Sequence, residues 1–418
     1  MKENKSLEFK SEISNTFLKT VSAYANYNGG EIIFGVEDNG VVVGLDDLDE
    51  TALAIENMVN DTIKPQPDYS ISINRKERTV TISVKSGRQQ PYLYRNKAYK
   101  RNDTATIEVD DIEMRRLILS GEHLSYEQLP SKQQDLSFAT LGAALRAQMG
   151  IKRFDQDVLK TLNLYSDDSG YNNAAAILAD ENSYAGIDIA KFGDSISIIQ
   201  KRKTIENTSI LQAYSAAIEM YRDYYQQEVI QGDKRKEVEL IPEEAFREAI
   251  ANAIIHREWD VKANIRVSLF DDRIEIVSPG GLPREISVEE YREGRFSVLR
   301  NPILANVFNR LNIVETFGTG VLRIKETYFG SITKPAFDAS DNAITVTLPF
   351  FKEGVDLTSD EAVVYNALNP SRAMPISEIL ESPEIHFGRS KVAKILKSLG
   401  DKELVEIEGI GRGTKYHR

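Results

Sequence analysis

The stretch from Pro242 to Lys325 constrains this chain more than any other. Pro242–Trp259 (PEEAFREAIANAIIHREW) reads as a helix, with a proline at its first turn, two acids behind it and apolar residues at helical spacing. Glu248, Asn252 and His256 recur every four residues. Each such step advances a helix by about 400°, so the side chains form one slowly drifting stripe. Phe246, Ala249, Ile250, Ala253 and Ile254 occupy the other side and should meet a sheet. Taken alone, the stripe reads more readily as a solvated polar face.

The residues that follow narrow the choice. Asn264–Leu269 and Arg273–Ser278 alternate apolar and polar around Asp271 and Asp272, the pattern of a β-hairpin. The second strand runs into Pro279-Gly280-Gly281-Leu282-Pro283, where glycine lets backbone approach a ligand closely. Phe317-Gly318-Thr319-Gly320-Val321 then opens a helical stretch, Leu322–Tyr328. Glycines ahead of a helix favour an anion, because free N–H groups and the helix dipole point at it. A lone Gly-x-Gly says little. The ordered set of Glu-x-x-x-Asn helix, hairpin, Gly-Gly turn and Gly-x-Gly says far more.

On these residues the stretch resembles the GHKL ATPase superfamily, and more closely the divergent ATP-binding domain of bacterial proteins described as transcriptional regulators. Glu248 and Asn252 match the N-box, SPGGLP at Ser278–Pro283 the first glycine box, and FGTGVLRI at Phe317–Ile324 the second. The resemblance implies ATP and Mg²⁺ as cofactors. Asn252 would be the metal ligand and Glu248 the general base that polarises water. His256, Gly280, Gly281, Gly318, Thr319 and Gly320 would bind the nucleotide beneath a lid at Arg300–Val314. The family's first glycine box normally begins with an Asp that reads adenine, and Val277 falls at that place. Slow hydrolysis at best is expected, with ATP acting as a conformational ligand.

The chain has 418 residues, 41% hydrophobic and 28% charged, which are globular values sufficient for several domains. Cysteine is absent, which excludes disulfides, thiolate nucleophiles and Cys-based zinc sites. The four histidines, at 123, 256, 386 and 417, have no metal-ligand spacing. The N-terminus MKENKSLEFK has no apolar core, and no long apolar run follows. A cytoplasmic protein is expected. The net charge of −12 argues against whole-surface nucleic-acid binding and leaves local basic patches open.

Residues 1–120 read as a first module. Ser11–Asn26 should be helical and Glu31–Val36 a strand, with Val41–Gly44 its return. Asp49–Ile63 follows as a helix, and Tyr69–Asn74 and Thr79–Lys85 as a hairpin. In Pro91–Arg101, Tyr92, Tyr94 and Tyr99 interleave with Arg95, Lys97, Lys100 and Arg101. That pattern suits base stacking and phosphate contact as well as it suits an amphipathic edge strand. LEFK at Leu7–Lys10 and SAYANYNGGEIIFGVEDNG at Ser22–Gly40 resemble the Schlafen-type, Alba-like domain. The resemblance implies nucleic-acid binding. Some animal Schlafens cleave tRNA and rRNA with three carboxylates, which would fall here at Glu3, Glu8 and Asp38. Such a metal-dependent endoribonuclease, with RNA as partner, is the alternative function.

Ser120–Gln134 reads as a linker and 135–232 as a connecting α/β region. Ala139–Met149, Asp155–Leu164 and Thr208–Ile230 should be helices, and Asn173–Ala179, Gly186–Phe192 and Ser195–Lys203 strands. By the same resemblance, residues 233–353 would form the GHKL-like α/β sandwich. Residues 358–418 read as a winged helix-turn-helix, with helices at Asp360–Leu368, Pro375–Leu380 and Gly388–Gly400 and a hairpin after them. Arg389, Ser390, Lys391, Lys394 and Lys397 on the third helix, with Arg412 and Lys415 on the wing, would contact DNA. The fold class is therefore α+β and multidomain. The expected function is an ATP-modulated, DNA-binding transcriptional regulator. A homodimer is expected, because paired half-sites need two-fold symmetry.

Overall fold

The computed structural model describes residues 2–231, 234–283, 286–294, 298–315, 318–352, 358–369, 372–402, 404–409 and 413–417, with backbone alone at 229, 231 and 234–236. The chain forms two compact units, Met1–Thr327 with Pro335–Pro349, and Tyr328–Lys334 with Phe350–Arg418.

The first unit begins with β1 (Leu7–Lys10), α1 (Phe17–Asn26) and β2 (Gly30–Phe34). The two strands pair in parallel, and α1 makes the crossover. Helix α1 is buried nearly all round, which is why its sequence carries so few charges. The helix α2 (Leu48–Thr62) starts where the Asp47 side chain accepts the Glu50 N–H at 2.9 Å. The short strand β3 (Ile63–Lys64) follows, then the hairpin of β4 (Tyr69–Asn74) and β5 (Thr79–Val84). The sheet order is β1-β2-β5-β4. Phe17, Val21, Phe34, Val80 and Ile82 fill the core beneath it.

Val41–Val43 do not form the expected return strand. Val42 bridges to Val36, Val41 accepts the Glu37 N–H and Val43 donates to the Gly35 carbonyl, each at 2.9 Å, and all three valines are exposed. Next come β6 (Leu93–Tyr94), β7 (Tyr99–Asn102), β8 (Ala105–Glu108) and α3 (Asp111–Gly121). Tyr92, Tyr94 and Tyr99 are all core residues, so the alternation of Pro91–Arg101 is an edge ribbon and those rings cannot stack on bases. The expected linker is also packed. Its residues end α3 and form a 3₁₀ turn at Tyr126–Gln128, with the Glu127 side chain wholly buried.

The chain continues through α4 (Ala139–Met149), α5 (Gln156–Thr161), the small hairpin β9 (Tyr165–Ser166) and β10 (Gly170–Tyr171), and α6 (Asn173–Leu178). The segment at Asn173 is a helix where a strand was expected. Its alanines favour helix and the Asn172 side chain caps it, accepting from Ala175 at 3.0 Å. Then come β11 (Ile187–Phe192), β12 (Ile199–Ile205) and α7 (Ile210–Tyr225). Helix α7 stops five residues before the expected Ile230, and β13 (Gln226–Gln231) pairs with β14 (Lys234–Glu239) instead. The β-branched Val229 and Ile230 favour strand over a further helical turn.

The last part of this unit holds α8 (Glu243–Ile255), β15 (Ile265–Leu269), β16 (Arg273–Pro279), α9 (Val288–Glu293), α10 (Pro302–Arg310), α11 (Gly320–Thr327), β17 (Ala336–Ala339) and β18 (Ala343–Pro349). One six-stranded sheet runs β12-β11-β15-β16-β18-β17. Strand β11 pairs with β15 in parallel and every other pair is antiparallel. The stretch 135–232 thus contributes two strands to the sheet that carries the hairpin.

The second unit contains α12 (Ser359–Asn366), β19 (Met374–Pro375), α13 (Ile376–Ile379), α14 (Arg389–Asp401), β20 (Glu406–Glu408) and β21 (Lys415–His417). Its small sheet runs β19-β21-β20. A capping box of Thr358 and Glu361 starts α12. Val392, Ile395, Leu396 and Leu399 bury one face of α14 against Val364, Leu368 and Ile379.

Candidate nucleotide-binding site

Helix α8 lies against the six-stranded sheet and presents Glu248, Asn252 and His256 to a cleft. The far wall is the start of α11, and the floor is the inward row of the sheet, Ile276, Ser278, Ile344 and Val346. The cavity volume of the cleft is about 90 Å³, and the cleft opens to solvent at its mouth. Its lining is chiefly apolar, with Glu248, Asn252, His256, Ser278 and Glu315 among its polar members.

Glu248 is only 6% exposed. Burial pushes its carboxyl above the usual range, opposed by a hydrogen bond from Asn252 and the charge of Arg323. The Asn252 amide Nδ2 donates to Glu248 Oε1 at 3.1 Å. Gly320 sits directly over this pair. A Cβ built there would stand 2.3 Å from Asn252 Nδ2 and 2.6 Å from Glu248 Oε1, a space that only glycine leaves open. Gly318, at φ +69°, also lines the cleft, while Thr319 does not. His256 closes the stripe at the C-terminus of α8. Burial and the neighbouring Arg300 push its pKa down to about 4, so it is neutral at physiological pH.

Gly280 and Gly281 are placed differently from the expectation and do not line the cleft. A Cβ on Gly280 would meet Glu258 at 2.6 Å, and one on Gly281 the Asp341 carbonyl oxygen at 2.6 Å. They serve close packing of the turn against its neighbours. The place assigned to Val277 shifts as well. Strand alternation turns Ile276 and Ser278 into the cleft, and Val277 is absent from its lining. Ser278 is 2% exposed and its Oγ donates to the Ala253 carbonyl at 2.7 Å. This hydroxyl ties β16 to α8.

The expected lid is anchored rather than free. Leu304 and Phe308 of α10 are core residues. Both Glu127 carboxylate oxygens accept backbone N–H groups at the start of α10, from Ile303 and Leu304, with the second at 2.9 Å. Asn301 is buried and its amide donates to the Ile255 and Arg257 carbonyls at 2.7 and 2.8 Å, capping α8. Arg300 donates to the His256 carbonyl at 2.7 Å and to that of Gly281 at 2.8 Å. Sequence reasoning missed Glu127 and Asn301. The capping signal was local to neither helix.

The acids of the first module behave otherwise. Glu8 is buried and held by Arg101, by Lys10 at 2.7 Å and by the Thr20 hydroxyl at 2.7 Å. Glu3 accepts the Phe9 N–H at 2.8 Å, and Asp38 is exposed in its turn. Among the described residues no three acids or histidines are placed to hold a metal ion. The expected nuclease triad is therefore not assembled. Cations neutralise Glu8 where a metal would have been needed.

In the second unit, Arg389, Ser390, Lys391, Lys394 and Lys397 are exposed on α14, and Lys415 is exposed on β21. Lys391 pairs with Asp360 at 2.5 Å, while Arg389, Lys394 and Lys397 have no carboxylate partner among the described residues. Arg412 lies outside the described residues.

The cleft thus combines a sheet floor, the α8 stripe and the Gly318 and Gly320 turn. Residues 262–348 match the HATPase_c_4 family, described as "Putative ATP-dependent DNA helicase recG C-terminal", and residues 3–110 match the family described as "Schlafen, AlbA_2". Among solved structures, the DIP2311 protein of Corynebacterium diphtheriae is 19% identical, with 99% of this chain and 92% of that one covered at a TM-score of 0.51, a likeness of fold alone. The N-terminal domain of a RecG-related protein of Nitrosomonas europaea, titled "Putative ATP-dependent DNA Helicase", is 18% identical over 25% of this chain and 79% of that one, at a TM-score of 0.19. No curated protein matches significantly. The two family matches support ATP and nucleic-acid binding. No helix among the described residues is long and apolar enough to cross a membrane.

Proposed function

We propose that this chain is a nucleotide-responsive, DNA-binding regulator of transcription that works as a homodimer. ATP occupies the cleft between α8 and α11, and the second unit, read as a winged helix, docks α14 in the major groove. The observation that carries the reading is the hydrogen-bonded pair Glu248 and Asn252 beneath Gly320. An acid, an amide and bare glycine backbone at one spot suit a phosphate chain and its cation.

The residues fit Mg²⁺. With Nδ2 committed to Glu248, the Asn252 Oδ1 is left for a hard cation. The bound ion would neutralise phosphate charge. Backbone N–H groups of Gly318, Thr319 and Gly320, at the N-terminus of α11, are the donors for the phosphates. Glu248, made more basic by burial, would take the proton from water. His256 stays neutral and adds no charge to the anion site. The unmatched Arg389, Lys394 and Lys397 on α14 supply the positive surface for DNA in an otherwise acidic chain.

Titration calorimetry with ATP and Mg²⁺ tests the reading. One saturable site is expected, and Asn252→Ala should weaken it roughly 100-fold, about 2.7 kcal/mol. A parent chain that takes up no heat from ATP removes the nucleotide from the proposal. A mobility shift on genomic fragments at about 50 mM salt, with and without ATP, tests the DNA half.

A further inference from the structure

A second cavity opens in the first module and shares no lining residue with the nucleotide cleft. Its volume is about 310 Å³. Leu18 of α1, Met58 of α2 and Leu93 and Tyr94 of β6 make an apolar floor. Asn15, Thr62, Lys64, Arg95 and Asn96 make a polar rim, and no carboxylate lines it.

The rim is held in place by local chemistry. Arg95 and Asn96 occupy the two central positions of a tight turn, with φ of 51° and 62°, closed by paired hydrogen bonds between Tyr94 and Lys97 at 2.9 and 3.1 Å. That is the hairpin geometry that best matches strand twist, and it presents both side chains at the tip. Lys64 is steadied by donating to the Asn60 carbonyl at 2.9 Å.

Several cations of the module are matched, Arg75 with Asp49, Lys85 with Asp68, Lys97 with Glu108 and Lys100 with Glu113. Lys64 and Arg95 have no carboxylate partner among the described residues, and the Arg95 guanidinium rests 5.2 Å from the Tyr94 ring centre. Lys19, also unmatched among them, stands 5.8 Å from the centre of Tyr99, whose ring lies 6.4 Å from that of Tyr94. Unmatched cations beside one cavity, in a chain of net charge −12, point to an anionic ligand. The floor is apolar and the volume reaches the range of about 300–1,000 Å³ typical of organic ligands, so an inorganic anion alone would leave it empty.

We propose that this cavity takes one splayed nucleotide of a single-stranded nucleic acid. The base lies against the half-buried Met58 and Leu93 of the cavity wall, and the flanking phosphates lie on Lys64 and Arg95. The proposal rests on the reading of the first module as nucleic-acid-binding and says where, and in what form, the strand is held.

Fluorescence anisotropy of the full chain with a labelled oligonucleotide of about 12 nucleotides, single-stranded or annealed, tests it. The single strand should bind more tightly than the duplex in the Lys394→Glu/Lys397→Glu variant, where α14 is disabled. Adding Lys64→Glu/Arg95→Glu should cut single-strand affinity by at least about tenfold, with a salt slope shallower by roughly 1.4, about 0.7 for each phosphate no longer neutralised. Lys64→Gln/Arg95→Gln should fall between, and an unchanged melting temperature shows that the fold is kept. No single-strand binding by the α14 variant, or affinity within about twofold after the Lys64 and Arg95 reversal, overturns the proposal. ATP calorimetry on the same proteins reads the nucleotide cleft separately, so either idea can fail without the other.

Discussion

Glu8 and Glu248 are both buried carboxylates on regular elements that face a helix, yet their surroundings differ in kind. Glu8 meets Arg101, Lys10 and a hydroxyl. Glu248 meets one amide and a glycine cradle. A carboxylate gripped by two cations has spent its charge on the fold. One left with an amide, beside open backbone N–H groups, keeps its charge available for a ligand. Glu127 is a third case. It commits its oxygens to two backbone N–H groups, and burial still pushes its pKa to about 7.

The largest effect should come from removing the grip on Glu8. Arg101→Met leaves that acid with Lys10 and Thr20 alone, and urea denaturation should show a loss of about 3 kcal/mol, the lower end for a broken buried pair. ATP binding should not move. An unchanged unfolding free energy would erase the contrast and reopen a catalytic role for Glu8.

Glu127 sharpens the contrast through pH. Its pKa is about 4.5 in the unfolded chain and about 7 when folded, so the folded state holds the proton more tightly. Its contribution is therefore complete below pH 4.5 and is lost as pH rises through 7, by about 3 kcal/mol in all. Glu127→Gln should flatten this part of the stability curve while keeping an acceptor for α10. A slope that survives the substitution assigns the titration to another group.

Gly320→Ala should be the mildest for the fold and specific to the cleft. The new methyl meets the movable ends of Asn252 and Glu248, which can swing aside. Stability should drop by under about 1 kcal/mol, whereas ATP affinity should fall about tenfold, or about 1.4 kcal/mol. An alanine variant that binds ATP as well as the parent would separate the pair from the ligand site.

Much of the central site was legible from local pattern. Helical spacing placed Glu248 and Asn252 on one stripe, strand alternation drew the hairpin, and Gly318 and Gly320 lie where glycine boxes before a helix should. Register to a single residue was not legible. Which of Val277 and Ser278 faces inward depends on the partner strands, and a one-residue slip reverses every side chain. Nor did the tyrosines of Pro91–Arg101 announce their burial, because an edge ribbon and a stacking platform share one composition.

The sequence by itself determined what is written within a few residues: turns, periods and the glycines that mark them. Tertiary structure decided which charge meets which. Arg101 reaches Glu8 across 93 residues and Glu127 reaches Ile303 across 176. Such pairings are set by how sheets and helices close on one another. That is why the same residue type is a structural anchor at Glu8 and a candidate for chemistry at Glu248.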